Sequence, residues 1–186
     1  MEDKRQMWND AARAGIVLGG ISIIYLLCIW VLGLANGEAK LFSILGGLLS
    51  ALLWCAKFIV CILFFKSAMK SFAKANPEVD NSDTFKFGCA TALLSSVVYS
   101  AFYLAFTKFI QPDYFEASVD ALMQSPMMDH NSKEAMAQML PKMPTISFFV
   151  NLAYCTLFGV VLSAIFSRNI PSRNPFSDTP QSPDEQ

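Results

Sequence analysis

The residues Leu41 to Lys66, LFSILGGLLSALLWCAKFIVCILFFK, form an almost wholly apolar run with one charge, Lys57, inside it. A helix rises about 1.5 Å per residue, so this run would be about 39 Å long. The hydrocarbon core of a bilayer is about 30 Å thick. The run therefore predicts a transmembrane helix, tilted or continuing past the interface.

Three further apolar blocks accompany it, at about 14–35, 86–110 and 146–166. The chain is 54% hydrophobic and 16% charged, as expected when most of its length faces lipid. No Asp or Glu falls inside any of the four blocks. With a net charge of -1 there is no basic excess to hold phosphates, which argues against nucleic acid as a partner. The five cysteines, Cys28, Cys55, Cys61, Cys89 and Cys155, all sit in apolar blocks at irregular spacing. Without a CxxC pair they read as small hydrophobes, not as metal or redox ligands.

Taken in order, the chain predicts an all-α, polytopic membrane protein with four transmembrane helices. Residues 1–12 are polar and precede the first span. That span, at about 22 residues, is too long for an ordinary signal-peptide core and reads as uncleaved. The short turn at 36–40 forces spans one and two into an antiparallel hairpin. Lys66, Lys70 and Lys74 continue span two at helical spacing until Pro77. Ser82 or Asp83 is placed to cap span three, which Pro112 ends. The excursion 111–145 predicts two short helices. The first, from Asp113 to Gln124, has Tyr114, Phe115, Val119, Leu122 and Met123 on one side, and Ser125-Pro126 breaks it. The second opens on Asn131-Ser132-Lys133-Glu134, a capping-box pattern, and stops at Pro141 and Pro144. Residues 169–186 are polar and proline-rich and predict a disordered tail.

Basic residues set the orientation. Lys4, Arg5, Arg13, Lys66, Lys70, Lys74, Lys86, Arg168 and Arg173 fall on one side, and only Lys40, Lys108, Lys133 and Lys142 on the other. The positive-inside rule then predicts cytoplasmic termini, a cytoplasmic central loop and an exported 111–145 segment.

Two features ask for more than threading. Small residues recur at helix-packing intervals: Gly15 and Gly19 in span one, Gly46 and Gly47 in span two, Gly88 and Ser96 in span three, Gly159 and Ser163 in span four. Such positions let backbones approach closely in lipid. The second feature is Lys57, about 14 Å along the axis from Lys66. Its stripe carries Gly46, Gly47, Ser50, Trp54 and Cys61, as a face turned into a bundle would. Depth places Ser22, Ser95 and Ser96 at a similar level, with Tyr25 and Tyr99 slightly deeper. One reading is a lysine that snorkels to the interface. Another is a lysine held by hydroxyls alone. The third is an anion or lipid site formed by Lys57, Ser22, Ser95 and Ser96, because a buried ammonium without a carboxylate calls for a compensating anion. The exported segment is rich in methionine (Met123, Met127, Met128, Met136, Met139, Met143) and holds His130. Soft thioethers can bind Cu(I). On amphipathic helices they more often cover a membrane surface or a partner, and no metal or cofactor site is expected here.

The chain resembles the bacterial membrane-protein family known as domain of unknown function 4199. The likeness rests on the glycine-rich first span AGIVLGGISIIYLL, on the join DTFKFGCATALLSSVVYSAFYLAFTKFIQPDYFE with its Ile-x-Pro-x-Tyr junction, and on the last span FGVVLSAIFSR. It covers Ala12 to Arg168. The resemblance implies four helices in a bacterial inner membrane and carries no catalytic residues. The sequence holds no nucleophile elbow, phosphate loop, HExxH or paired carboxylates within the spans. The expected role is a non-enzymatic envelope component that contacts membrane lipids and binds a lipid, a partner membrane protein or copies of itself. The alternative is a small oligomeric transporter or channel subunit with an anion site at Lys57.

Overall fold

A computed structural model of the chain describes residues 2–35, 40–76, 79–123 and 129–169. All the regular structure in them is helical. Helix α1 is Glu2–Ala35, α2 is Lys40–Ala75 and α3 is Asn81–Ala105, continued by a single π-helical turn, Phe106–Ile110. The short helices α4 (Tyr114–Met123) and α5 (His130–Met139) follow. A 3₁₀ turn at Leu140–Lys142 then leads into α6, Met143–Asn169. Four helical stretches are long and apolar enough to cross a membrane: Arg5–Leu34, Gly46–Ala75, Asn81–Ile110 and Lys133–Asn169. The protein is thus an all-α polytopic membrane protein with an amphipathic excursion between its third and fourth spans.

Helix α3 is the centre of the bundle. It packs along α1 on one side and α6 on the other, and α2 leans on α1, α3 and α6. The α1–α3 contact runs through Gly15 and Gly19. A Cβ on Gly15 would come within 2.9 Å of Leu94 Cβ and 3.1 Å of Ser95 N, and one on Gly19 within 2.9 Å of Val98. On the other side, a Cβ on Gly88 would run into Ser163, and one on Gly159 into Ala92. Gly46 is buried. Gly47 does not belong to this set. It is exposed, with open space where a Cβ would stand. It follows Gly46 by one residue, about 100° around the helix, and that rotation carries it off the packed face.

The apolar core gathers at one end of the bundle. Phe65, Met69 and Phe72 of α2 meet Ala11 of α1 and Phe87, Ala90 and Ala92 of α3, with Leu162 and Phe166 of α6 against them. The Phe72 and Phe87 rings stack at 4.2 Å. The polar opening segment of the chain is therefore already helix. Its first turns carry Met7 and Ala11 into the core, so α1 starts about three turns before its apolar block.

Several local expectations change. The cap of α3 is Asp80, whose Oδ1 accepts from the Asn81 N–H at 2.6 Å, in place of Ser82 or Asp83. Asp83 lies in the first turn and pairs with Lys86 at 2.8 Å. Helix α5 begins at His130, so Asn131 to Glu134 lie inside it and form no capping box at its start. Helix α5 ends at Met139, just ahead of Pro141, and neither proline lies in the interior of a helix. Each sits in the first turn of the element that follows, where a missing N–H is tolerated. Within the π turn at the end of α3, Thr107 Oγ1 donates to the Tyr103 carbonyl at 3.0 Å and lies 3.2 Å from the Leu104 carbonyl. Residues 36–39, Pro77, the Ser125-Pro126 break, Met127, Met128 and the tail from 170 lie outside the described residues.

Close approach makes a direct prediction. Gly159→Leu must push α6 off Ala92 and should lower the detergent melting temperature clearly, since overpacking costs about 1–3 kcal/mol. Gly47→Leu adds a side chain on the open side and should leave it unchanged. Equal shifts for the two variants would mean that the α3–α6 contact does not hold the bundle.

Candidate functional site

Beyond Phe65, toward the middle of the spans, α2 no longer fills the space against its neighbours. A cavity of about 140 Å³ opens there and is lined by all four spans. Helix α1 supplies Leu18 and Ser22, and α3 supplies Ala92, Ser95, Ser96 and Tyr99. Helix α6 supplies Tyr154, Cys155, Phe158, Gly159 and Leu162. Helix α2 lines it with Trp54, Lys57, Phe58, Cys61 and Phe65, residues three or four apart on one helical face. The gap follows from residue size. The glycine, alanine and serines that let α1, α3 and α6 approach one another are too small to reach α2.

Lys57 is the only charged residue in the lining. Its Nζ lies 5.1 Å from the Tyr25 ring centroid and 5.5 Å from that of Tyr99. The lysine therefore points into the bundle and does not run along α2 toward Lys66. A cation over an aromatic face gains about 2 kcal/mol or more when water is excluded. A charge at the centre of a span costs roughly 2.5–3.5 kcal/mol on insertion scales. The two tyrosines thus offset much of the cost of the charge. They do not use its hydrogen bonds. An ammonium has three N–H donors, and among the described residues none of them meets an acceptor. The site is a cation braced from behind by rings, with its donors open to the cavity.

The other polar groups are spoken for in part. Ser96 Oγ lies 2.8 Å from the Leu93 carbonyl and 2.7 Å from Thr156 Oγ1. The serine has a single hydrogen, so when Leu93 takes it, Thr156 must donate to Ser96. Ser22 and Cys61 both line the cavity. Ser163 is buried and donates to the Gly159 carbonyl at 2.8 Å, clear of the cavity. One wall is aromatic. Trp54 stacks on Phe58 at 5.6 Å, and Phe58 meets Phe158 at 5.3 Å.

The structure brings Lys57, Ser22, Ser95 and Ser96 to one cavity, with Tyr99 in the lining and Tyr25 on the ammonium. Phe58, Tyr154, Phe158 and Thr156 were not singled out by the sequence. Thr156 could have been. The α6 series Cys155, Gly159, Ser163 advances by four, but a helix turns every 3.6 residues, so the packed face drifts by about 40° per step. Thr156, three residues before Gly159, stands about 60° from it around the helix and flanks that face on the side opposite Cys155. In the excursion, Met136 is half-buried and Met139 exposed, and the side chains of Met123 and His130 lie outside the described residues.

The Ser96–Thr156 bond joins two helices inside the span. Ser96→Ala and Thr156→Val, combined in a double-mutant cycle of unfolding in detergent, should show a coupling of about 0.6 kcal/mol. Additive effects would mean that the two hydroxyls do not bond.

No curated protein matches the chain, and neither does any solved structure. A family model described as a protein of unknown function, DUF4199, matches residues 13–168. That stretch holds most of each of the four spans and the whole cavity lining, and the chain belongs to this family.

Proposed function

We propose that this protein is a non-enzymatic component of a bacterial cytoplasmic membrane, with both termini cytoplasmic, that holds an anionic lipid group against Lys57, alone or beside a partner membrane protein. The observation that carries this reading is the ammonium of Lys57. It is braced by two tyrosine rings, lies in a cavity lined by all four spans, and has no carboxylate in the lining. An acceptor with negative charge is what such a group lacks. The orientation is supported by exposed Arg5, Arg13, Lys66, Lys70, Lys74, Lys86 and Arg168, which cluster where α1 begins, α2 ends, α3 begins and α6 ends.

Lys57→Met keeps the length of the side chain and removes the charge. In native mass spectrometry of the purified protein, the variant should assemble but lose an anionic lipid that the wild type retains. Identical lipid profiles and equal thermal stability would reduce Lys57 to a structural lysine. A fall in anion flux through proteoliposomes, with assembly intact, would move the reading to a transporter.

The threading has its own test. Reporter fusions after Glu78 and after Gln186 should read cytoplasmic, and fusions near Ser132 exported. An exported signal at Glu78 overturns the orientation.

A further inference from the structure

We infer that the Lys57 cavity takes the head of a long-chain carboxylic acid, which reaches it sideways from the acyl layer through a gap between α2 and α6. This rests on the reading of Lys57 as an anion-holding group and adds the class of ligand and its route.

The size of the cavity gives the first argument. At about 140 Å³ it is comparable to an engineered apolar cavity of about 150 Å³ that takes up benzene. A head group and a few methylenes fit, and a whole lipid does not. The remainder of the ligand must leave through an opening, and the lining shows where. Trp54 of α2 and Tyr154 of α6 both line the cavity, yet they are 53% and 66% exposed. They form a rim between the two helices. Both belong to spans, so what lies outside that rim is hydrocarbon. Exposed Phe149, Val150 and Leu157 continue the apolar surface along α6. A chain that leaves by this mouth stays in an environment that suits it.

The route decides the head group. A ligand coming through the acyl layer must shed its charge or carry it through hydrocarbon. A carboxylic acid can shed it. In water at pH 7, roughly one molecule in 500 is neutral. A phosphate monoester cannot, since its second pKa is about 6 and at least one charge remains. At Lys57 the acid ionises, one proton leaves to water, and the carboxylate accepts from the open N–H donors of the ammonium. Ser95, in the same lining, is placed to donate to its second oxygen. The tyrosine rings behind Lys57 keep the cation in place before the acid arrives.

The test uses the full chain in uncharged phosphatidylcholine nanodiscs, with Trp8 and Trp30 replaced by Phe so that Trp54 alone fluoresces. The probes are three brominated eighteen-carbon chains bearing a carboxyl, a hydroxyl or a phosphate. The carboxylic acid should quench Trp54 saturably, at least about tenfold more tightly than the alcohol, a typical margin for a hydrogen bond to a charged group. The Lys57→Met variant should lose that margin. If that variant does not assemble, the head-group series on the chain with Lys57 in place decides alone. Equal quenching by acid and alcohol overturns the inference, because the chain then merely partitions beside Trp54. Binding of the phosphate as tight as that of the acid also overturns it and leaves Lys57 as a general anion holder. Absence of saturable quenching by all three probes overturns both readings.

Discussion

In hydrocarbon an apolar side chain gains almost nothing by leaving lipid for another helix, so this bundle is held where backbones come close. Helix α3 is the element on which those contacts meet. Gly15 and Gly19 bring α1 onto Leu94, Ser95 and Val98, while Gly88 lies against Ser163 and Ala92 against Gly159 to bring in α6. The buried serines of α3 share in this role through their size. Ser100 is fully buried and, with Thr91, has no hydrogen-bond partner for its hydroxyl among the described residues. What these two residues contribute is small volume. At the end of the bundle where α1 begins, a different force applies. There α1 and α2 run beyond their apolar blocks, and Phe72 stacked on Phe87 joins Phe65, Met69 and Ala11 in an ordinary apolar core. That core fixes the last turns of α2. Farther along, α2 has no comparable seam, and its Leu48, Leu49, Leu52, Ile59 and Val60 face outward.

Lys57 lies at the boundary between these two regimes. Three helices are locked by small residues, and the fourth is pinned at one end by phenylalanines. Between them is space, and half-buried Lys57 faces it. The lysine stem starts from a helix face that also carries Trp54, Phe58 and Cys61, so its surroundings on α2 are apolar. Its partners come from α1 and α3, as the rings of Tyr25 and Tyr99. An aromatic face can stabilise a cation without accepting a hydrogen bond from each of its N–H groups. That distinction separates a lysine at rest from a lysine with donors to offer.

Much of this was readable from the residues. Four apolar blocks gave four spans, because length and hydropathy alone decide whether a helix can cross hydrocarbon. The small-residue intervals marked the α1–α3 and α3–α6 contacts, because few other side chains permit such approach. The spacing around Lys57, together with depth counted from the helix ends, brought Ser22, Ser95 and Ser96 to its neighbourhood. What could not be read depended on which neighbours a helix chooses. Gly46 and Gly47 look alike in a sequence, and only the direction in which α2 leans buries one and exposes the other. The polar residues 2–12 concealed a helix because their core-facing positions, Met7 and Ala11, are only two and are separated by Trp8, Asn9 and Asp10. Asp80 caps α3 ahead of two equally plausible capping residues because the chain turns there, and a turn has little hydropathy signature.

The cavity could be dismissed as a packing defect, and magnitudes argue against that. In a close-packed interior enclosed empty volume costs roughly 24 cal/mol per Å³, and this volume of about 140 Å³ escapes that cost only where lipid chains enter by its open rim. A larger residue in place of Ser95 would take up part of that volume, whereas one in place of Ala92 would run into α6 at Gly159. The lining instead combines an empty volume, a cation and hydroxyls, three features that each destabilise an unoccupied bundle. They cease to do so together only when a group with an anionic acceptor and an apolar stem fills the space. Lipid chains are present in every direction around the bundle. The stem is therefore always at hand, and the acceptor is the part that must be selected.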